Sequence, residues 1–256
     1  MNDEESIQKG ITERLISALK QGEFVLYGQR IMPLAPRSGA RPFREILIRF
    51  REEEEKLLPP GSFFPLLEEY HLLPYVDRWV VSRLARTIAD ARAAEPDWPV
   101  PCNGVNLSGD TLRDTAFADF TIRHIQNARL PEATFVFEIA WNVAILRAQQ
   151  LQALQEKLKP AGCRFALADF DGSDASFKFV KDFAPDFVKL SYGVVKELNR
   201  ALDISEKAKS ISNRCRALGI RTVVEFVEDR DLLRHLRTLE VDFAQGLAIS
   251  PPEPLT

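Results

Sequence analysis

Thr134-Phe135-Val136-Phe137-Glu138-Ile139-Ala140 is an extended apolar run with a single carboxylate set into it. A buried strand rich in Val, Ile and Phe has no packing use for a charged group, so Glu138 serves something other than the core. The pattern repeats outward in both directions. Runs at Phe24–Ile31, Arg44–Phe50, Pro101–Ser108, Cys163–Phe170, Asp186–Leu190, Ile220–Val227 and Asp242–Ile249 also carry a polar residue at or near their ends. Those residues are Gln29, Glu45, Asn106, Asp169, Lys189, Glu225 and Gln245. Eight strands with polar ends suit a barrel, which gathers strand ends around one mouth. One position breaks the pattern. At Ala168-Asp169 a small apolar residue stands where a second carboxylate would complete an acidic cluster.

The segments between the runs read as helices. The helix beginning at Pro74, a favoured first-turn position, repeats Val76, Val80, Leu84 and Ile88 every four residues. Ile145, Leu146, Leu151, Leu154 and Leu158 form one apolar face that Gly162 ends, and Asp203-Ile204-Ser205-Glu206 resembles a capping box for the helix reaching Leu218-Gly219. Ile11–Lys20 opens with an apolar stripe of Ile11, Leu15, Ile16 and Leu19, and Arg51–Lys56 reads as a solvated loop or helix face. Only about a dozen residues, with Pro33, Pro36, Gly39 and Pro42 among them, join the first two runs. That stretch closes a hairpin and leaves no room for a crossover helix. The expected fold is therefore α/β, a TIM-like (β/α)8 barrel with one antiparallel strand. It fills one domain over residues 1–256, with residues 1–10 as an N-terminal extension.

Composition narrows the classes. Hydrophobic residues at 45% and charged residues at 28% are those of a water-soluble globular domain. A net charge of −3 gives no general attraction to nucleic-acid polymers or anionic membranes. No apolar stretch approaches the roughly 18 residues of a membrane span. Met1-Asn2-Asp3-Glu4-Glu5 lacks the basic start of a signal peptide, so a cytoplasmic location is expected. Cys102, Cys163 and Cys215 are far apart and lie in or beside apolar segments, which reads as reduced core cysteines.

The chemistry follows from the oxygen donors. Glu45, Asn106, Glu138 and Asp169, with Glu225 and Glu228 on or after the seventh strand, suit hard cations such as Mg²⁺ or Mn²⁺. Lys189 ends the sixth strand, where an ammonium among acids orients a water or meets a phosphate. Together they suggest metal-assisted attack of water on a phosphoryl centre. Each residue alone has a plainer reading: a solvated strand-end Glu, a turn or N-cap for Asn106, a salt-bridge partner for Lys189. Their joint placement outweighs those readings.

The same residues match a family. The chain resembles the EAL domain, the cyclic di-GMP phosphodiesterase barrel, over nearly its full length. The name-giving motif stands here as Glu45-Ile46-Leu47, with the family's arginine at Arg49. Pro60-Gly61-Ser62-Phe63-Phe64-Pro65 with Glu68, Val105-Asn106-Leu107-Ser108, Lys189-Leu190, Glu225-Phe226-Val227-Glu228 and Gln245-Gly246 follow in the family's order and spacing. The resemblance implies a barrel with one reversed strand and metal ligands at Glu45, Asn106, Glu138, Asp169 and Glu225. It implies Lys189 as the residue that helps activate water, with Glu228 and Gln245 supporting the site. Gln29, Glu45, Leu47, Arg49 and Gln245 would contact the cyclic dinucleotide, Arg49 through a phosphate that its fork suits. It also implies upstream sensory or cyclase-like domains, protein partners and homodimers as the usual company of such a domain.

The departures from the family cluster. Its Asp-Asp-Phe-Gly-Thr-Gly-Tyr-Ser-Ser becomes Ala168-Asp169-Phe170-Asp171-Gly172-Ser173-Asp174-Ala175-Ser176, so the aspartate that bridges two metals is Ala168. Trp141 replaces the glutamate that braces the following loop, Ser191 the aspartate after Lys-Leu, Phe226 a glycine and Arg30 a proline. Losing a shared carboxylate leaves two dications less well neutralised, which weakens hydrolysis more than recognition. Three readings stand: a receptor that binds cyclic di-GMP with little or no hydrolysis, a slow metal-dependent phosphodiesterase yielding pGpG, and an interaction scaffold that no longer takes the nucleotide.

Overall fold

Eight strands close into a ring in the computed structural model, which describes residues 13–14, 16–19, 21–34, 41–51, 57–58, 60–200 and 205–255. The ring strands are β1 (Phe24–Pro33), β2 (Phe43–Arg51), β4 (Cys102–Asn106), β5 (Phe135–Ala140), β6 (Arg164–Phe170), β7 (Phe187–Leu190), β8 (Arg221–Val224) and β9 (Phe243–Gln245). Two short strands, β3 (Leu57–Leu58) and β10 (Glu253–Pro254), add to β2 and β1. From β2 through β9 every neighbour is parallel, while β1 runs antiparallel to both β2 and β9 and closes the ring. The barrel and its one reversed strand are as the spacing implies. The connection over residues 34–42 is too short to return a chain in the same direction.

The helix Leu73–Ala94 carries Pro74 in its first turn and buries Val76, Val80, Leu84 and Ile88 against the barrel. The helix Ser205–Ala217 ends before Gly219, which takes a left-handed φ of 73°. The single apolar face expected between Ile145 and Leu158 does not hold. Arg147, at φ −125° and ψ 29°, divides it into helices Trp141–Leu146 and Ala148–Leu158. Leu151, Leu154 and Leu158 are buried, whereas Ile145 and Leu146 lie exposed because the break rotates them off that face. The N-terminal extension, Ile11 and Leu15 of the first stripe, Arg51–Lys56 beyond Arg51, Pro36 and Gly39, and Asp203 and Ile204 of the capping box lie outside the described residues.

Two apolar bodies build the core. One lies between the strands and the surrounding helices. The other plugs the barrel interior: Ile31, Phe43, Val136, Ala166, Phe187, Val223 and Phe243, with Cys102 packed against them. Phe43, Phe187 and Phe243 meet with ring centroids 5.1–5.9 Å apart. Burying each such ring stabilises by about 1.5–3 kcal/mol, and the plug seals one end of the barrel. All three cysteines are free thiols.

Candidate functional site

Successive inward positions on a strand are two residues apart. Moving two residues from each member of the plug toward the other end gives Gln29, Glu45, Gly104, Glu138, Ala168, Lys189, Glu225 and Gln245. The polar residues are thus not confined to strand tips. Glu45 is the third residue of β2, and Gln29 lies mid-strand in the reversed β1, opposite Glu45. They form the barrel's second interior tier, one step above the phenyl plug.

Most of that tier is bonded into one network. The Lys189 ammonium donates to Glu138 Oε2 at 2.6 Å and Glu45 Oε2 at 3.0 Å, and lies 2.9 Å from Glu225 Oε1. Asn106 Nδ2 donates to Glu45 Oε1 at 2.8 Å. Gln245 Nε2 donates to Glu45 Oε2 at 2.7 Å and to Gln29 Oε1 at 3.0 Å, while Gln29 Nε2 donates to the Ser250 carbonyl at 3.1 Å. Seven of the sequence-derived residues therefore meet in one place, from seven strands or their ends.

Burial sets their charges. It pushes the Glu138 carboxyl up to about 8, with Lys189 opposing and Glu45 and Glu225 reinforcing. Burial also raises Glu225, with Lys189 opposing and Glu45 and Asp169 adding to the rise. At Glu45 burial works upward too, but the Lys189 charge and the hydrogen bonds from Gln245 and Asn106 bring the carboxyl below its ordinary value. At Lys189 burial acts downward, and the three carboxylates overcome it, holding the ammonium well above its usual range. Lys189 is thus the cation that these three acids share.

Above this tier β2 continues inward through Leu47 and Arg49. Arg49 lies 5.6 Å from the Tyr27 ring and donates to the Ile48 carbonyl at 2.9 Å. Leu47, Asn106, Ser108 and Glu68 line a cavity of about 350 Å³ beside the network. Under it sits a residue the sequence reading missed. Asp77 is buried in the helix Leu73–Ala94 and accepts from Ser108 N at 3.0 Å and Thr111 Oγ1 at 2.6 Å, pinning the loop that follows Asn106. Burial raises its carboxyl to about 6 against those hydrogen bonds. Its signal was a carboxylate within the apolar stripe of Leu73, Val76, Val80, Val81 and Leu84.

Other expected residues stand apart. Asp169 is exposed at a register shift in β6, with a left-handed φ of 56°, and reaches the network only through its charge on Glu225. Glu228 is exposed. Asp171 accepts from Ser173 N at 3.0 Å, and Asp174 lies 3.2 Å from Arg214, so neither replaces the carboxylate missing at Ala168. Trp141 packs edge-on against Phe179 at 5.4 Å, an apolar brace where the family has a glutamate. Phe226, in the family's glycine position, is left-handed at φ 57° and meets Tyr192 edge to face at 5.4 Å.

A divalent ion needs several oxygen donors gathered around one centre. Among the described residues no group of three or more His, Cys, Asp or Glu side chains is arranged to hold a metal. Glu45, Glu138 and Glu225 close on the Lys189 ammonium, which fills the point where they converge, while Asp169 stands outside and Ala168 offers no ligand. The side chains as placed do not fit a two-ion site.

Comparison with known proteins agrees with this barrel. The sequence matches the EAL domain family over residues 12–252. It is 31% identical over 244 residues to cyclic di-GMP phosphodiesterase PdeB of Shewanella oneidensis, covering 94% of this chain and 28% of that protein. It is 27% identical to cyclic di-GMP phosphodiesterase PdeF of Escherichia coli, covering 94% of this chain and 32% of the relative. The chain thus spans about a third of the length of such relatives. Among solved structures, the FimX EAL domain of Pseudomonas aeruginosa bound to c-di-GMP superposes with a TM-score of 0.84 at 25% identity, covering 93% of this chain and 94% of that one. No helix among the described residues is long and apolar enough to cross a membrane. With a family match that takes in the whole ring of strands, this chain belongs to the EAL domain family.

Proposed function

We propose that this domain binds cyclic di-GMP at the barrel mouth and hydrolyses it negligibly, acting as a receptor or regulatory module. The observation that carries this reading is the Lys189 clamp: three carboxylates satisfy one ammonium while the Ala168 position contributes none. The ammonium already fills the point where these carboxylates converge, so a dication would have to displace it to enter. Recognition asks less of the site. Arg49 presents a guanidinium fork for a phosphate, Leu47 and the adjoining cavity offer apolar surface to a base, and the Gln29–Gln245 pair holds the amides in place. Binding would shift the equilibrium of a protein partner, an attached domain or a second copy, which is how a non-hydrolysing nucleotide site transmits a signal.

The competing reading is a slow metal-dependent phosphodiesterase. The names of its relatives favour it, as does the convergence of Glu45, Asn106, Glu138, Lys189 and Glu225 in one network. Calorimetric titration with cyclic di-GMP, with Mg²⁺ and then with chelator, separates the two when the product is followed by chromatography. The receptor reading expects the same affinity in both and no pGpG. Robust hydrolysis abolished by Lys189→Ala would replace it with the phosphodiesterase. Absence of binding under both conditions would leave the scaffold.

A further inference from the structure

A second charged feature lies on the outer wall of the barrel, on the paired strands β1 and β2. β1 and β2 pair with Arg30 directly opposite Arg44. Gln29, Ile31, Phe43 and Glu45 face inward, so alternation turns both arginines outward. Like charges directly opposite each other destabilise a sheet. Among the described residues neither guanidinium has a carboxylate partner. Arg44 Nε donates to the neutral Asn103 Oδ1 at 2.8 Å. Burial lowers the Arg44 guanidinium to about 10, the direction expected of a cation without a counter-ion. Room for it comes from Gly28, where a Cβ would lie 3.1 Å from Arg44 Cδ and 3.1 Å from Leu255 Cδ1. A third guanidinium, Arg41, is spent on neutral acceptors, the Val100 and Glu132 carbonyls and Thr134 Oγ1.

The three arginines line a cavity of about 630 Å³ together with Trp98, Glu253 and several prolines. Glu253 is exposed on β10, and among the described residues no ion pair joins it to them. The fold thus holds opposed positive charge against an aromatic and proline-lined wall, in a space of the size small organic ligands use. We propose that this groove binds a phosphorylated small molecule of nucleotide size, its phosphate between Arg30 and Arg44 and its organic part against Trp98. A phosphate would neutralise the opposed pair and accept from both forks. The site is separate from the barrel mouth and does not depend on what the mouth binds.

The probe is adenosine 5′-monophosphate, with adenosine as the phosphate-free control, titrated calorimetrically into the full chain at constant ionic strength. Binding of the nucleotide and not of adenosine is expected. Arg30→Gln, on an exposed side chain, and Arg44→Gln should each weaken it by on the order of tenfold or more. Because Arg44→Gln removes a half-buried side chain, thermal unfolding provides a second reading. Inorganic phosphate should raise the wild-type midpoint over chloride, and Arg30→Gln should abolish that rise. No nucleotide binding, binding unaffected by both substitutions, or binding lost in Arg49→Ala but kept in Arg30→Gln would each overturn the proposal. So would a hexaglutamate peptide that binds more tightly than the nucleotide.

Discussion

Gly104 and Glu138 share one volume. A methyl group on Gly104 would fall 1.9 Å from Oε1 of Glu138, closer than any non-bonded contact allows. The carboxylate therefore leans across β4 through space that another residue's side chain would claim, while its Oε2 meets Lys189 at 2.6 Å. Among the described residues Oε1 itself has no hydrogen-bond partner.

Gly104→Ala should accordingly displace the Glu138 carboxylate and destabilise the fold by about 1–3 kcal/mol through overpacking. Denaturant unfolding measures the loss. A variant as stable as the wild type, with unchanged contacts at Lys189 in its crystal structure, would show that Glu138 does not depend on that glycine.

Arg49→Ala should weaken cyclic di-GMP binding by about 1.5–3 kcal/mol, the usual cost of removing a charge-assisted contact. Calorimetry reads this directly. Unchanged affinity would take Arg49 out of the site.

Ala168→Asp should strengthen Mn²⁺ binding, read by titration or by the resonance of the bound ion. It returns a carboxylate beside Asp169 and Glu225 and gives a dication a ligand that Lys189 does not already engage. Ala168→Asp with Trp141→Glu is the stronger variant, since Trp141 holds the neighbouring loop against Phe179. No gain in either would mean that the missing carboxylate is not what limits metal affinity.

Asp77 makes stability depend on pH. Burial raises its carboxyl from 3.8 to about 6, so the folded state holds this proton more tightly than the unfolded chain. The associated stability is fully present below the unfolded value and is lost as pH rises through about 6. That share amounts to roughly 2–3 kcal/mol between acid and neutral pH. Asp77→Asn cannot titrate, so the stability difference between it and the wild type should change by this amount across the window. A difference constant from pH 3.5 to 7.5 would mean that Asp77 titrates normally.

Much of this was legible in the sequence because strands in a closed barrel are nearly all buried. Their Val, Ile and Phe runs stand out, and one polar residue inside such a run is conspicuous. The ring strands fall within those runs or a residue or two beyond their ends, and the Pro-rich connection correctly implied the reversed strand. What was hidden depends on how strands stagger. Glu45 lies early in β2, yet reaches Lys189 because neighbouring strands are offset along the barrel. Asp77 was hidden within an apolar helix stripe, and the Arg30–Arg44 opposition exists only once β1 and β2 are in register. The break at Arg147 lay in backbone angles that the leucine spacing did not reveal.

The reversed strand has a consequence for how the domain comes into being. Every neighbouring pair in the ring links ring strands that follow one another along the chain except β1 and β9, where Ile31 meets Gln245. At that seam Gln245 also donates to Gln29 and Glu45. A chain still emerging from the ribosome can pair β1 with β2 and stack the parallel strands that follow, but it lacks this amide. The distant pairing comes last, as contacts of long sequence separation generally do. Completion of the ring and assembly of the Gln29–Glu45–Gln245 cluster are therefore one event, and a partly made domain has no finished mouth.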